Sequence, residues 1–161
     1  MAAGGRGARD ARDARETRYI LDTQFYVDVL RGAPGASDTL RLLAARVAAV
    51  DFHALVGAEL LIGAVDAAAA AAIRRSLVDR FKPARVLVPD CDDVLAAGDA
   101  LRALREKDGA HPEHERRSFW NDVLIAVSCR RRGRVLVSRD RDHDRIALVV
   151  KHRVVASLPE L

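Results

Sequence analysis

Short apolar runs alternate along this chain with longer helical stretches, and two of those runs lead into an aspartate. Tyr19-Ile20-Leu21 reads as a buried strand and stops at Asp22. Residues 23–31 follow with helical character, closed by Gly32 and the Pro34-Gly35 turn signal. Ser37 or Asp38 is placed to cap a helix carrying Leu40, Leu42 and Leu43, and residues 47–52 read as a second strand. Residues 54–66 are apolar on nearly every side and predict a buried helix. Another helix is expected over 67–81, stopped by Pro83, and a third strand over 85–88. A long amphipathic helix carries Asp92 and Asp93 in its first turn and ends near Gly109. Ser118 is placed to cap a helix over 119–132, with Gly133 as its stop. A strand at 134–137, a short helical turn at 140–146 and a last strand at 154–156 complete the pattern. Strands alternating with helices predict an α/β fold: a three-layer sandwich around a central, mainly parallel sheet, in a single domain.

The chain has 161 residues, which suits one domain, and half of them are apolar, which suits a proper core. Residues 1–17 mix Gly, Ala, Arg and Asp with no long aliphatic residue after Met1. They read as a disordered basic tail ahead of a folded unit at 18–161. No run approaches the roughly 18 apolar residues that a membrane span needs. The N-terminus carries no apolar h-region of the signal-peptide kind. Cys91 and Cys129 form no CxxC pair, so reduced thiols in a cytoplasmic protein are expected. The formal net charge of +4 suits an acidic partner such as nucleic acid, though only weakly by itself.

Position, rather than the number of acids, singles out four of them. Asp22 and Asp140 each follow a buried-looking strand, and in parallel sheets sites form beyond the carboxyl ends of the strands. Glu59 shares a helix face with Leu55, Val56, Ile62 and Gly63, an apolar face where burial of a Glu is expected. Asp122 similarly shares its face with Ser118, Phe119, Ile125 and Ala126, and is expected in the first helical turn. From Asp122 the helix runs about 11 residues, or roughly 17 Å. The strand after Gly133 returns over about 5 residues, again roughly 17 Å, so Asp122 and Asp140 come back to one level. Each aspartate alone has an ordinary reading as a helix cap or dipole partner. The four at one edge do not, because two carboxylates 4 Å apart repel by about 4 kcal/mol at an effective dielectric near 20. A hard cation with oxygen ligands, Mg²⁺ or Mn²⁺, resolves that repulsion. Such an ion, keeping its waters, can activate one against a phosphodiester and stabilise the charge that develops.

Three segments built around these acids, YILDTQFYVDVL, AELLIGA and FWNDVLIAVSCRRRGRVLVSRDRDHDRI, resemble the PIN domain, in particular the VapC-like toxins of bacterial toxin–antitoxin pairs. The likeness spans residues 18–158, and its most specific piece is the ND-x-x-IA helix leading into an LVSRD strand end. By position, the resemblance makes Asp22, Glu59, Asp122 and Asp140 the four catalytic and metal-holding acids, with Asp142 assisting through water. Thr23 and Ser138 match supporting hydroxyl residues. It implies Mg²⁺- or Mn²⁺-dependent endoribonuclease activity, a homodimer, and inhibition by a small cognate antitoxin. Gln24, His53, Val56 and His143 depart from the usual pattern, but none removes a metal ligand.

Arg139 and Arg141 flank Asp140, and Arg116 and Arg117 precede the Asp122 helix, which places all four to meet RNA phosphate. Arg130, Arg131, Arg132 and Arg134 sit at the far end of the same helix and read as a solvated cluster facing the dipole. His111 and His114 form an HxxH without the further ligands that zinc requires. GxSxG, Walker and GxGxxG motifs are absent, which excludes the serine-hydrolase elbow and the common nucleotide cradles. Two other readings compete: a catalytically silent PIN-like module that binds RNA or protein, and a metal-dependent phosphohydrolase acting on small molecules.

Overall fold

A computed structural model describes residues 17–109 and 112–158. Residues 1–16 of the expected tail, and His111 of the HxxH, lie outside the described residues. Five strands form one sheet in the order β3-β2-β1-β4-β5: β1 (Tyr19–Leu21), β2 (Val50–His53), β3 (Val86–Leu87), β4 (Val135–Val137) and β5 (Arg153–Val155). Every pairing is parallel, with Ile20 opposite both Asp51 and Leu136. The helices are α1 (Thr23–Arg31), α2 (Ala36–Arg46), α3 (Ala54–Ile62), α4 (Ala67–Ser76), α5 (Cys91–Asp108), α6 (Arg117–Arg131) and α7 (Asp142–Ile146). The chain first steps from β1 toward β3, then returns to build β4 and β5 on the other side of β1. Right-handed crossovers therefore send the helices before β3 and those after it to opposite faces. The expected α/β sandwich is the fold observed.

The short strands are buried because helices cover both faces. Ile20, Leu21, Phe52, Leu136 and Val137 pack against Phe25 and Tyr26 of α1 and against Ile125 and Cys129 of α6. Phe52 meets Tyr26 edge-on at 5.7 Å and stacks on Phe81 at 4.9 Å. Gly57 permits that packing, since a Cβ there would lie 2.9 Å from the Phe52 ring. A second cluster, with Leu104, Phe119, Val123 and Ile146 at its centre, fastens α5 and α7 to α6. None of the described helices is long and apolar enough to cross a membrane.

Several expected boundaries shift for local reasons. Residues 47–49 form a 3-10 turn, so β2 starts at Val50. Gly35, not Ser37 or Asp38, occupies the N-cap of α2, and Asp38 pairs with Arg41 instead. The apolar helix from Ala54 ends at Ile62, where the Gly63 amide closes onto Glu59 and Leu61. Ile62 and Val65 are then left 63% and 90% exposed, so the stretch is not buried throughout. The next helix stops at Ser76, well before Pro83, because Leu77 leaves helical geometry. Arg116 holds the N-cap of α6 without a side-chain bond, and Ser118 lies inside the helix. Asp122 consequently sits in the second turn, not the first, and the dipole supports it less than expected.

Candidate functional site

The strand order reverses at β1, so the carboxyl ends of β1 and β4 open the crevice where ligands bind in such sheets. Asp22 leaves β1 at this point and caps α1, accepting the Thr23 N–H at 2.7 Å. Its own N–H donates to the Val137 carbonyl at 2.9 Å, which pins it to the end of β4. Its other oxygen accepts from the Ser138 hydroxyl at 2.6 Å, and the Ser138 oxygen accepts the Asp140 N–H at 3.0 Å. One buried hydroxyl thus couples the two strand ends. The Asp140 carboxylate accepts the Asp142 N–H at 2.9 Å, which fixes the start of α7.

Asp122 descends from α6 onto the same spot. Carboxylate oxygens of Asp122, Asp140 and Asp142 all lie within 4.8 Å of one another. Helix and strand return to one level, as their equal lengths require. Glu59 approaches from α3 and is held at both oxygens: the Thr23 hydroxyl donates to Oε2, and the Asn121 amide donates to Oε1 at 2.7 Å. Glu59 is half-buried rather than fully buried. Asn121 has no assigned role in the sequence reading; its signal was its place beside Asp122, one residue around the helix toward Glu59.

Electrostatics separate these acids from ordinary surface carboxylates. Burial, then the charges of Asp22, Asp140, Glu59 and Asp142, push Asp122 up to about 8. Burial also raises Asp22 above its ordinary value, against the bonds from Ser138 and Thr23, with Asp140 adding to the rise. Four carboxylates act on Asp122, two of them, Asp140 and Asp142, within 4.8 Å of it, and every donor is a carboxylate oxygen. That set fits a hard divalent cation.

Arg116 reaches Asp142 at 3.7 Å, and Arg117 and Arg141 are exposed at the starts of α6 and α7. Arg139 folds back over α1, 3.6 Å from Asp28. His143 is buried rather than set at the rim: its ring packs on His152 at 5.3 Å, and Nε2 lies 4.0 Å from Asp22. Burial, with His152 beside it, lowers His143 to about 4, so it stays neutral at physiological pH. His53 is also buried, and caps α3 through Nδ1.

Three of the four arginines at the far end of α6 are paired with acids rather than solvated, and Arg130 is exposed as expected. Arg131 and Arg132 each bond to Asp93, which is 0% exposed, at 2.6 Å. Arg134 pairs with buried Asp51 at 2.9 Å, alongside Arg18 and, at 3.4 Å, Arg85. Arg18, Arg85 and Arg134 each immediately precede a strand, so the amino edge of the sheet gathers them around one carboxylate. The pairings of Asp51 and Asp93 are not legible in the sequence because their partners are 33 to 83 and 38 to 39 residues away.

Known proteins place this arrangement. The fold is similar to that of VapBC2 from Rickettsia felis bound to a DNA fragment from its promoter (TM-score 0.61, 16% identity, covering 86% of this chain and 98% of that one). DNA-bound VapBC from Salmonella typhimurium is similar at TM-score 0.62 and 18% identity, covering 86% and 97%. FitAcB from Neisseria gonorrhoeae is similar at TM-score 0.62 and 18% identity, covering 84% and 95%. No curated protein matches the sequence. Residues 19–149 match the sequence model of the PIN domain. With that match spanning β1 to the end of α7 and both strand ends of the acid cluster, the chain belongs to the PIN domain family.

Proposed function

We propose that this protein is a divalent-metal-dependent endoribonuclease, the toxin of a toxin–antitoxin pair. One observation carries the reading: Asp122, Asp140 and Asp142 converge within 4.8 Å at the switch point of the sheet. A Mg²⁺ or Mn²⁺ ion bound there would supply a water of lowered pKa and charge stabilisation for the phosphate oxygens. Asp22, Asp122 and Asp140 would hold it, with Asp142 acting directly or through water. Asp22 presents an oxygen oriented by Ser138 and Thr23, and Glu59 is held in place by Thr23 and Asn121. Their geometry is preset, so ordering them at each turnover is unnecessary. Arg116, 3.7 Å from Asp142, with the exposed Arg117, Arg139 and Arg141 near it in sequence, would offset the cluster's repulsion of a polyanionic substrate.

An antitoxin partner is supported by the fold's likeness to VapBC and FitAB proteins and by an apolar groove of about 450 Å³. Tyr26, Leu30, Leu40, Leu43, Val47 and Phe81 line it, and an amphipathic helix would fit there. Two free thiols agree with a cytoplasmic site of action. The reading includes a homodimer, as the resemblance to VapC-like toxins implies.

The test is cleavage of total RNA, tRNA and rRNA by purified, antitoxin-free protein with Mg²⁺ or Mn²⁺ and with EDTA, beside Asp22→Asn and Asp122→Asn. Metal-dependent cutting lost in both variants supports the nuclease. A folded protein that binds RNA or a protein partner but cuts nothing with any metal would be the catalytically silent module instead.

A further inference from the structure

Arg139 lies one residue before Asp140, yet its side chain does not behave as a free phosphate clamp. Its guanidinium carbon stands 4.5 Å from the centroid of the Phe25 ring, and Nη1 lies 3.6 Å from Asp28. Phe25 is buried in α1 and forms a fixed floor, and Asp28 also accepts the Gln24 amide at 2.5 Å. The backbone beneath is equally fixed, since the Ser138 N–H donates to Val155 and the Ser138 oxygen accepts the Asp140 N–H. Arg139 therefore sits on an aromatic ring, has a carboxylate nearby, and keeps a side chain that is 54% exposed beside the acid cluster.

A phosphate arriving at that guanidinium would compete with Asp28 and approach Asp140. A nucleobase would do neither. Flat bases stack on guanidinium planes, and only unpaired bases can be splayed out to do so. We infer that Arg139 is a stacking shelf for an unpaired base next to the scissile phosphate. The inference rests on the nuclease reading and adds to it the residue that positions a base.

The experiment uses the full chain and a short single-stranded oligoribonucleotide cut at one mapped bond, with copies abasic at each nucleotide flanking that bond. Arg139→Lys keeps the charge and loses the plane. Its KM should rise roughly tenfold on intact RNA with kcat nearly unchanged, and the difference should vanish on one of the abasic copies. The slope of log KM against log salt should stay at the wild-type value, whereas a lost phosphate contact would flatten it by about 0.7. Asp28→Asn, which leaves the shelf in place and unmasks its charge, should steepen the slope instead. Thermal melts of both variants confirm that they fold. Arg139→Lys acting like wild type while Arg139→Ala loses affinity with a flatter slope would overturn the shelf in favour of a phosphate contact. Equal loss on intact and all abasic RNAs would overturn it as well. Wild-type protein that cuts no RNA defeats the nuclease reading itself; wild type that cuts while the variants show no base dependence defeats only the shelf.

Discussion

Asp122→Asn should make the metal-free protein more stable, and the gain should depend on pH. Carboxylate oxygens of Asp122, Asp140 and Asp142 lie within 4.8 Å. At that distance and an effective dielectric near 20, a fully ionised pair repels by about 3.5 kcal/mol. Asp140 is exposed and solvent screens it, which leaves about 2 kcal/mol for the set. Burial, with its acid neighbours, raises Asp122 from 3.8 to about 8 on folding. A raised folded value means that its contribution is fully present below pH 3.8 and is lost as pH climbs through about 8. Asn cannot ionise and escapes that loss. In EDTA the melting temperatures of wild type and Asp122→Asn should diverge from about pH 4 upward and differ by roughly 4–8 °C above pH 8, at about 2–4 °C per kcal/mol. Mn²⁺ should reverse the order, because wild type gains about 2.7 kcal/mol at a hundredfold excess over Kd and the variant loses a ligand. Differential scanning fluorimetry across that pH range reads both effects. A variant less stable than wild type at high pH in EDTA, or a shift of one size at every pH, would refute the electrostatic reasoning.

Other perturbations test the scaffold. Ser138→Ala removes the hydroxyl that joins Asp22 to the Asp140 backbone. It should weaken Mn²⁺ binding by about 10- to 100-fold in calorimetry with little change in fold; unchanged affinity would show that the hydroxyl orients nothing. Replacing Arg131 and Arg132 together by Ala strands the buried Asp93 carboxylate. Urea unfolding should report a loss of about 3 kcal/mol, and a loss within error would mean that water reaches Asp93. Gly57→Ala drives a Cβ to 2.9 Å from the Phe52 ring. A loss of about 1–3 kcal/mol is expected, and an unchanged melting temperature would show that the Phe52–Phe81 stack yields freely.

What could be read from sequence was what is local or periodic. The Tyr19–Leu21 strand, the helix Thr23–Arg31 with its Gly32 stop, and the Gly133 turn at φ 63° follow from short-range patterns. Equal helix and strand lengths sufficed to bring Asp122 to Asp140. Failures came where a distant partner overrides the local signal. Ser118 looks like a cap, but the helix starts earlier and buries Phe119 between α5 and α7. Arg131 and Arg132 look solvated because nothing nearby in sequence reveals Asp90 and Asp93, which arrive with α5. His143 lies in a charged stretch, yet it is buried, with His152 packed on its ring. Asn121 was visible and unassigned, since its partner Glu59 is 62 residues away.

The two ends of the sheet differ in how their buried acids are compensated. At the amino edge, burial alone would raise Asp51, yet Arg18 and Arg134 bring its carboxyl below the ordinary range. Asp93 is more deeply buried than any acid of the site and has two arginines on its carboxylate plus the Asp90 N–H. These acids are complete as they stand. At the carboxyl edge, Asp22 and Asp122 are raised, not lowered, and His143, the base nearest Asp22, is held neutral by burial. The same fold thus supplies arginines to the acids that stabilise it, whereas Asp22 and Asp122 at the switch point are raised by burial and by neighbouring carboxylates, and Arg116 reaches Asp142 only at 3.7 Å. Such an arrangement is costly in isolation and becomes favourable when a multivalent cation plays the part that arginines play at Asp51 and Asp93. Charge compensation, more than acid count, distinguishes the carboxyl edge as the candidate site.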